Sequence, residues 1–218
     1  MNPDRKPAHA AAAAETAPRP LTNRGRRTRA ALIQAGREIF EEVGFADARI
    51  DDVADRAGVS HGTFYTYFDS KSALFREVAG AVIGEMFTAT RVGHTVPDDP
   101  YARIEATNRA YLRAWGRNAR LLHVLDQLAT GDDEFRQLLL ELREVFISRI
   151  VAGLRRLQEN GQADRDLPPR LTAIALGAMV QNFAHVWLDL GENVGEDEAV
   201  DTLTHLWANA IGLTTPRP

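Results

Sequence analysis

IDDVADRAGVSHGTFYTYFDSK, Ile50 to Lys71, spells two short helices, a glycine turn between them and the start of a third. Ile50, Val53, Ala54 and Ala57 follow the i, i+3, i+4, i+7 spacing of one apolar helix face. Gly58 supplies a residue that tolerates positive φ. Val59 reads as a core plug, and Ser60 is a good N-cap for the next helix. That helix is short, with Phe64 and Phe68 four residues apart on its buried side. Its outer face holds only small or polar residues, Ser60, His61, Gly62 and Thr63. A helix-turn-helix needs such a face, because its backbone must approach base edges in the major groove. Gly62 within a helix costs about 1 kcal/mol relative to alanine, which points to close approach of another surface. An ordinary helical hairpin meets the same pattern.

Working outward, helix signals continue in both directions and strand signals are nearly absent. Leu32, Ala35, Ile39, Phe40 and Val43 mark a first helix that stops at Gly44. Asp69 or Ser70 caps a fourth, carrying Leu74, Val78, Val82 and Phe87 and running out before Pro97-Asp98-Asp99-Pro100. A fifth helix carries Ile104, Tyr111, Leu112 and Trp115, and a sixth Leu121, Leu122, Leu125 and Leu128, ending near Gly131. Phe135 to Leu157 form a seventh, Pro168-Pro169 open an eighth, and Val200 to Ile211 make a ninth. The expected fold class is all-α. It comprises a disordered Ala/Pro tail (residues 1–24), a three-helix DNA-binding domain (25–70) and a helical ligand-binding and dimerisation bundle (71–213).

Composition narrows the function. The 218-residue chain is 44% hydrophobic, enough to bury a sizeable core. It has no cysteine, which excludes disulfides, thiolate metal sites and cysteine catalysis. No apolar run approaches the roughly 18 residues that span a bilayer, and Ala11 to Ala14 lack the apolar core of a secretory signal. A cytoplasmic protein with no membrane partner is expected. The net charge of −4 is unevenly spread: the first 37 residues carry +6 and the rest −10. A basic head on an acidic body fits local phosphate contact; a solvated tail is the plainer alternative.

The run VADRAGVSHGTFYTYFDSKSALF resembles the DNA-binding signature of the TetR family of transcriptional regulators. The resemblance extends without gaps from Thr28 to Phe75 and rests on Ala57-Gly58-Val59-Ser60, Tyr65, Phe68 and Lys71. It implies base contacts from the tip of the second helix of the pair, at Ser60, His61, Gly62 and Thr63. His61 would donate to guanine N7 or O6, and the Thr63 methyl would pack on a thymine methyl. It implies phosphate contacts from Thr28, Tyr65, Tyr67 and Lys71, the last aided by the positive end of the fourth helix. Tyr67 stands where the family often has His. The family also often has Thr or Ser just before the second helix, where this chain has Arg49 and Ile50. Arg49 is either a charged substitute for the hydroxyl contact or a solvated side chain. Arg26 and Arg27, in the run Arg24-Gly25-Arg26-Arg27, are expected on phosphate as an arm preceding the first helix, with minor-groove entry as the sharper reading.

The resemblance fades after Phe75, and implies a ligand pocket in the bundle. Its expected lining is Phe87, Tyr111, Trp115, Phe146, Met179 and Phe183, with the embedded polar residues Asn108, Gln127 and Asn182. For each aromatic, plain core packing is the alternative. His123, Gln181 and His185 are further polar residues on apolar helices. No Arg or Lys sits firmly inside the bundle, so a largely apolar effector is expected, with lipid-derived molecules and lipophilic xenobiotics both open. The last two helices are expected to pair with their copies in a homodimer through Leu171, Ala175, Ala178, Leu203, Leu206, Trp207 and Ile211. Two recognition helices about one DNA turn apart would then read a palindromic operator on double-stranded DNA. A repressor released by its effector is the leading reading. An activator or an effector-independent DNA-binding protein are the alternatives. An enzyme is the rival class, on His94 with Asp98 and Asp99 or on His185 with Asp189. No HExxH, phosphate loop or GxSxG elbow accompanies them, so no catalytic residue, metal or cofactor is expected.

Overall fold

The computed structural model describes residues 22–91 and 99–213. Of the tail expected over 1–24, residues 1–21 lie outside the described residues, as do His94 and Asp98, while residues 22–24 belong to the cap and first turn of a helix. Thr22 caps α1 (Asn23–Asp47), its hydroxyl accepting from Gly25 N at 3.1 Å. The run Arg24 to Arg27 is therefore the first turn of a helix rather than an arm ahead of one. Gly44, at φ 77°, kinks the backbone where the helix was expected to stop, and one further turn runs to Asp47. α2 (Ile50–Arg56) and α3 (His61–Tyr67) are the two short helices of the opening stretch. α4 (Lys71–Ala89) is capped by Ser70, whose hydroxyl accepts from Ala73 N at 3.0 Å.

Two helices are expected over 104–131; the chain forms one, α5 (Pro100–Gly131). Gly116 is the weakest helix former near the expected break, and one glycine costs too little to end a helix that long. Asn118, the other candidate breaker, donates back to Ala114 O at 2.7 Å within the same helix. α6 (Asp133–Glu159) and α7 (Pro169–Ala184) follow, and α7 runs on into a π-helical turn, His185–Asp189, where Leu190 N donates to His185 O at 3.1 Å. α8 (Glu196–Ala210) completes eight α-helices among the described residues, with no strand.

The α1–α3 unit and the bundle share one apolar core. Leu32, Phe40, Phe64, Leu74 and Phe75 run without interruption into Leu112, Leu121, Leu125 and Phe135. Phe40, Phe45, Phe75 and Phe135 join α1, α4 and α6 edge to face, with centroids 5.1–5.5 Å apart for three successive pairs. Each such pair adds about 0.5–1.5 kcal/mol beyond area burial. Gly36 lets α1 and α4 cross closely: a Cβ there would stand 2.7 Å from Leu74 Cδ2.

The outer face of α7 and α8 is unusually apolar. Leu171 is 65% exposed and Leu206 49%, with Ile174 also exposed. Pro169–Asp189 is, by length and composition, apolar enough to cross a membrane, with mean hydropathy 1.3. This corrects the expectation that no run reaches that length, because scattered polar residues interrupt the run without lowering its average much. Three expected dimer contacts lie elsewhere in the subunit. Leu203 and Ile211 are 1% and 0% exposed, buried in their own subunit's core, and Ala178 faces a cleft described below.

Candidate nucleic-acid interface and regulatory cleft

The reader is built by local chemistry. Val53 and Ala54 fix α2 in the core. Gly58, at φ +68°, reverses the chain, and Val59 N donates to Ala54 O at 3.0 Å to close the turn. Ser60 Oγ accepts from Thr63 N at 3.2 Å and pairs with Thr63 Oγ1 at 2.9 Å, starting α3. Phe64 and Phe68 are buried beneath it. A bidentate ion pair, Arg56 to Glu42 at 2.6 and 3.0 Å, ties α2 back to α1. What remains outside α3 is small and polar: Ser60, His61, Gly62, Tyr65 and Thr66 are exposed, and Thr63 is half-buried. A Cβ on Gly62 would meet nothing within 4 Å, so the protein's own packing gives no reason for a glycine there. His61 is not free: its Nδ1 is hydrogen-bonded to Asp51 Oδ1 on α2.

The expected phosphate contacts fall into two groups. Arg27, Arg49 and Tyr65 are exposed, Thr28 half-buried, and Arg26 exposed with its guanidinium donating to Asn23 Oδ1. Tyr67 is half-buried and packs partly on the core. Lys71 differs from them. Its Nζ donates to the carbonyls of Phe45, Ala46 and Ala48 at 2.6, 3.1 and 2.9 Å, and lies 4.6 Å from the centre of the Phe45 ring. An ammonium has three N–H donors, and these three carbonyls occupy them. Lys71 thus caps the last turn of α1 after the Gly44 kink.

Two arginines tie helices together: Arg37 joins reader to body, and Arg149 joins α6 to α4 within the body. Arg37 on α1 donates to Glu41 at 2.9 Å, to Glu85 on α4 at 3.2 Å and to buried Asn118 on α5 at 2.8 Å. Arg149 on α6 donates to Phe87 O at 3.2 Å and Thr90 Oγ1 at 2.7 Å, at the negative end of α4. Its guanidinium lies 4.5 Å from the Phe87 ring centre and 5.7 Å from that of Phe146. Burial, with Arg91 nearby, moves Arg149 below the usual arginine range. The expectation that no Arg or Lys sits inside the bundle is thereby corrected. The Phe146–Arg149 spacing of i, i+3 was the available signal.

A cleft of about 420 Å³ opens between α5, α6 and the α7–π segment. Of the nine expected lining residues it takes Trp115, Gln127 and Asn182. The other six pack elsewhere. Phe87 and Tyr111 each meet Phe146 edge to face, Asn108 donates to Thr204 Oγ1 on α8 at 3.3 Å, Phe183 lies against Trp187, and Met179 packs between the two core clusters. The remaining walls are more polar than expected: His123, Asp126, Thr130, Arg143, Gln181 and His185, with Ala178. Asp126 and Arg143 were not foreseen, since on helices this charged neither stands out from the solvated residues. Burial pushes the Asp126 carboxyl above its ordinary value, and Arg143 partly opposes that. The π-helical turn places His185 Nδ1 2.9 Å from Asp189 Oδ2, and Trp115 Nε1 donates to the same carboxylate at 3.3 Å. The histidine–aspartate pair considered as an enzyme signature is thus part of the wall that orients Trp115.

Residues 32–78 match the model for bacterial regulatory proteins of the tetR family, and residues 104–212 match the C-terminal domain of the transcriptional regulator EthR. The HTH-type transcriptional regulator EthR of Mycolicibacterium smegmatis is 27% identical over 211 residues, covering 92% of this chain and 97% of the relative. The HTH-type transcriptional activator FasR of the same organism is 25% identical, covering 82% of this chain and 81% of FasR. The HTH-type transcriptional repressor DhaR of Mycobacterium sp. is 27% identical, covering 65% of this chain and 73% of DhaR. Among solved structures, the fatty acid degradation regulator FadR of Bacillus halodurans superposes with a TM-score of 0.72 at 17% identity, covering 86% of this chain and 97% of FadR. That likeness speaks for the fold.

Proposed function

Because this chain belongs to the TetR family of transcriptional regulators, we propose that it represses transcription from a palindromic operator as a homodimer, and that a small molecule in the α5–α7 cleft releases it. The observation that carries the DNA-reading half is Gly62. An exposed glycine with open space around it, on a helix otherwise anchored by Phe64 and Phe68, suits a backbone that meets a groove wall. Ser60, His61, Gly62 and Thr63 are the proposed base contacts. Thr28, Arg26, Arg27, Arg49, Tyr65 and Tyr67 are the proposed phosphate contacts, and Lys71 we assign to holding α1. Leu171, Ile174, Ala175 and Leu206, with half-buried Trp207, are the proposed contacts to a second copy, since an apolar face this exposed favours burial.

The cleft lining revises the effector. Trp115 and Ala178 suit an apolar portion, and Gln127, Gln181 and Asn182 suit a polar end, so an amphipathic molecule fits better than a purely apolar one. Coupling to DNA has a short route. Trp115 in the cleft wall is one helical turn from Asn118, which holds Arg37 on α1. A ligand that shifts this part of α5 favours a state with altered spacing of the two α3 helices. A coupling of about 1–3 kcal/mol corresponds to roughly 5–150-fold in operator affinity. Activation is the second reading, favoured by the FasR relative.

The test is mass spectrometry of small molecules that co-purify with the native protein, followed by operator titration with and without each one. Release of operator by a co-purifying amphiphile, blunted by Asn118→Ala, supports the reading. A molecule that binds the cleft and leaves operator affinity unchanged contradicts it.

A further inference from the structure

His61 stands at the exposed tip of α3, yet one of its two ring nitrogens is already engaged. Nδ1 lies 2.5 Å from Asp51 Oδ1, and the two side chains are 54% and 57% exposed, so the pair sits on the outer surface. The Tyr65 ring lies 5.2 Å from the imidazole on the same helix. These two, Asp51 from α2 and Tyr65 from α3, are the titratable groups that the structure places against His61. The Gly58 turn sets α2 against α3, which keeps Asp51 in reach.

Building on the DNA-reading role of α3, we propose that Asp51 selects the ring nitrogen with which His61 reads a base, and so sets the base preferred at that operator position. An ionised carboxylate only accepts hydrogen bonds, so the ring proton of neutral His61 must sit on Nδ1. Nε2, on the far side of the ring from Asp51, is then an acceptor. In the major groove an acceptor matches an amino group, cytosine N4 or adenine N6, and not guanine, which offers only N7 and O6 acceptors there. Without Asp51 either tautomer forms, and Nε2–H would donate to guanine equally well. The base preference at this position therefore depends on Asp51, in a direction that the helix alone does not specify. Asp51 is a positioning residue here, and His61 is the reader.

The test is selection of full-length protein on a randomised duplex library. His61→Ala identifies the position, as the one whose preference it flattens. The wild type should enrich cytosine or adenine there. Asp51→Asn should reduce the preference at that position about fivefold or more while leaving the others unchanged. Asp51→Glu should restore it. A position that depends on His61 but ignores Asp51→Asn overturns the proposal and leaves the DNA-reading role intact. So does a wild-type operator in which His61→Ala flattens nothing. Failure to enrich any sequence would instead overturn the DNA-reading role itself.

Discussion

Gly62 and Lys71 show how differently two residues of one short motif are used. Gly62 has no neighbour within 4 Å of a would-be Cβ, so Gly62→Ala should stabilise the free protein by up to about 1 kcal/mol. The same substitution should weaken duplex binding, and a thermal melt beside an anisotropy titration reads both. Lys71 is bound to three carbonyls, and Lys71→Met should cost about 2 kcal/mol of stability through lost charged hydrogen bonds. The slope of log affinity against log salt should stay where it is; a drop of about one unit would return Lys71 to a phosphate role. Gly58 and Ser60 were legible because turn and cap chemistry is local. The engagement of Lys71 was not, because its acceptors lie 23–26 residues earlier, beyond a kink whose direction sequence does not state.

Helices were legible wherever apolar spacing was bounded by a strong stop. Ser70, Asp132 and Pro169 mark starts that local chemistry explains. The fusion of two expected helices into α5 was missed because apolar spacing looks the same on both sides of Trp115, and helix continuity there rests on packing against five other α-helices. The α1–α4 crossing makes a direct prediction. Gly36→Ala would push a methyl against Leu74, which is wholly buried, and should destabilise by about 1–3 kcal/mol in chemical denaturation. The cleft makes another. Asp126 has a raised carboxyl, so its contribution to stability is complete below the ordinary carboxylate range and is lost as pH rises through the raised value. Asp126→Asn should remove that loss. The variant should melt higher than wild type at neutral pH and converge with it in acid; an equal gap at both would contradict the burial of this carboxyl.

At the scale of the molecule, one apolar core spans reader and body, with Arg37 and Arg149 pinning α1 and α4 to the bundle. Under the proposed mechanism, these contacts are the route by which a shift near the cleft would reach α3. The division of labour along the chain was legible from the helix-turn-helix stretch and the family resemblance. The polarity of the cleft was not, because which polar residues converge depends on how α5, α6 and α7 are rotated about their axes. Of the apolar residues expected at a dimer contact, Leu171 and Leu206 are exposed, whereas Leu203 and Ile211, with the same apolar character, face inward. The central claim is that two copies of α3, joined through the α7–α8 face, read one duplex. Light scattering of the full chain eluting with its selected duplex measures this directly. Two chains, or a multiple of two, should be found per duplex, and a complex with a single chain would contradict the account.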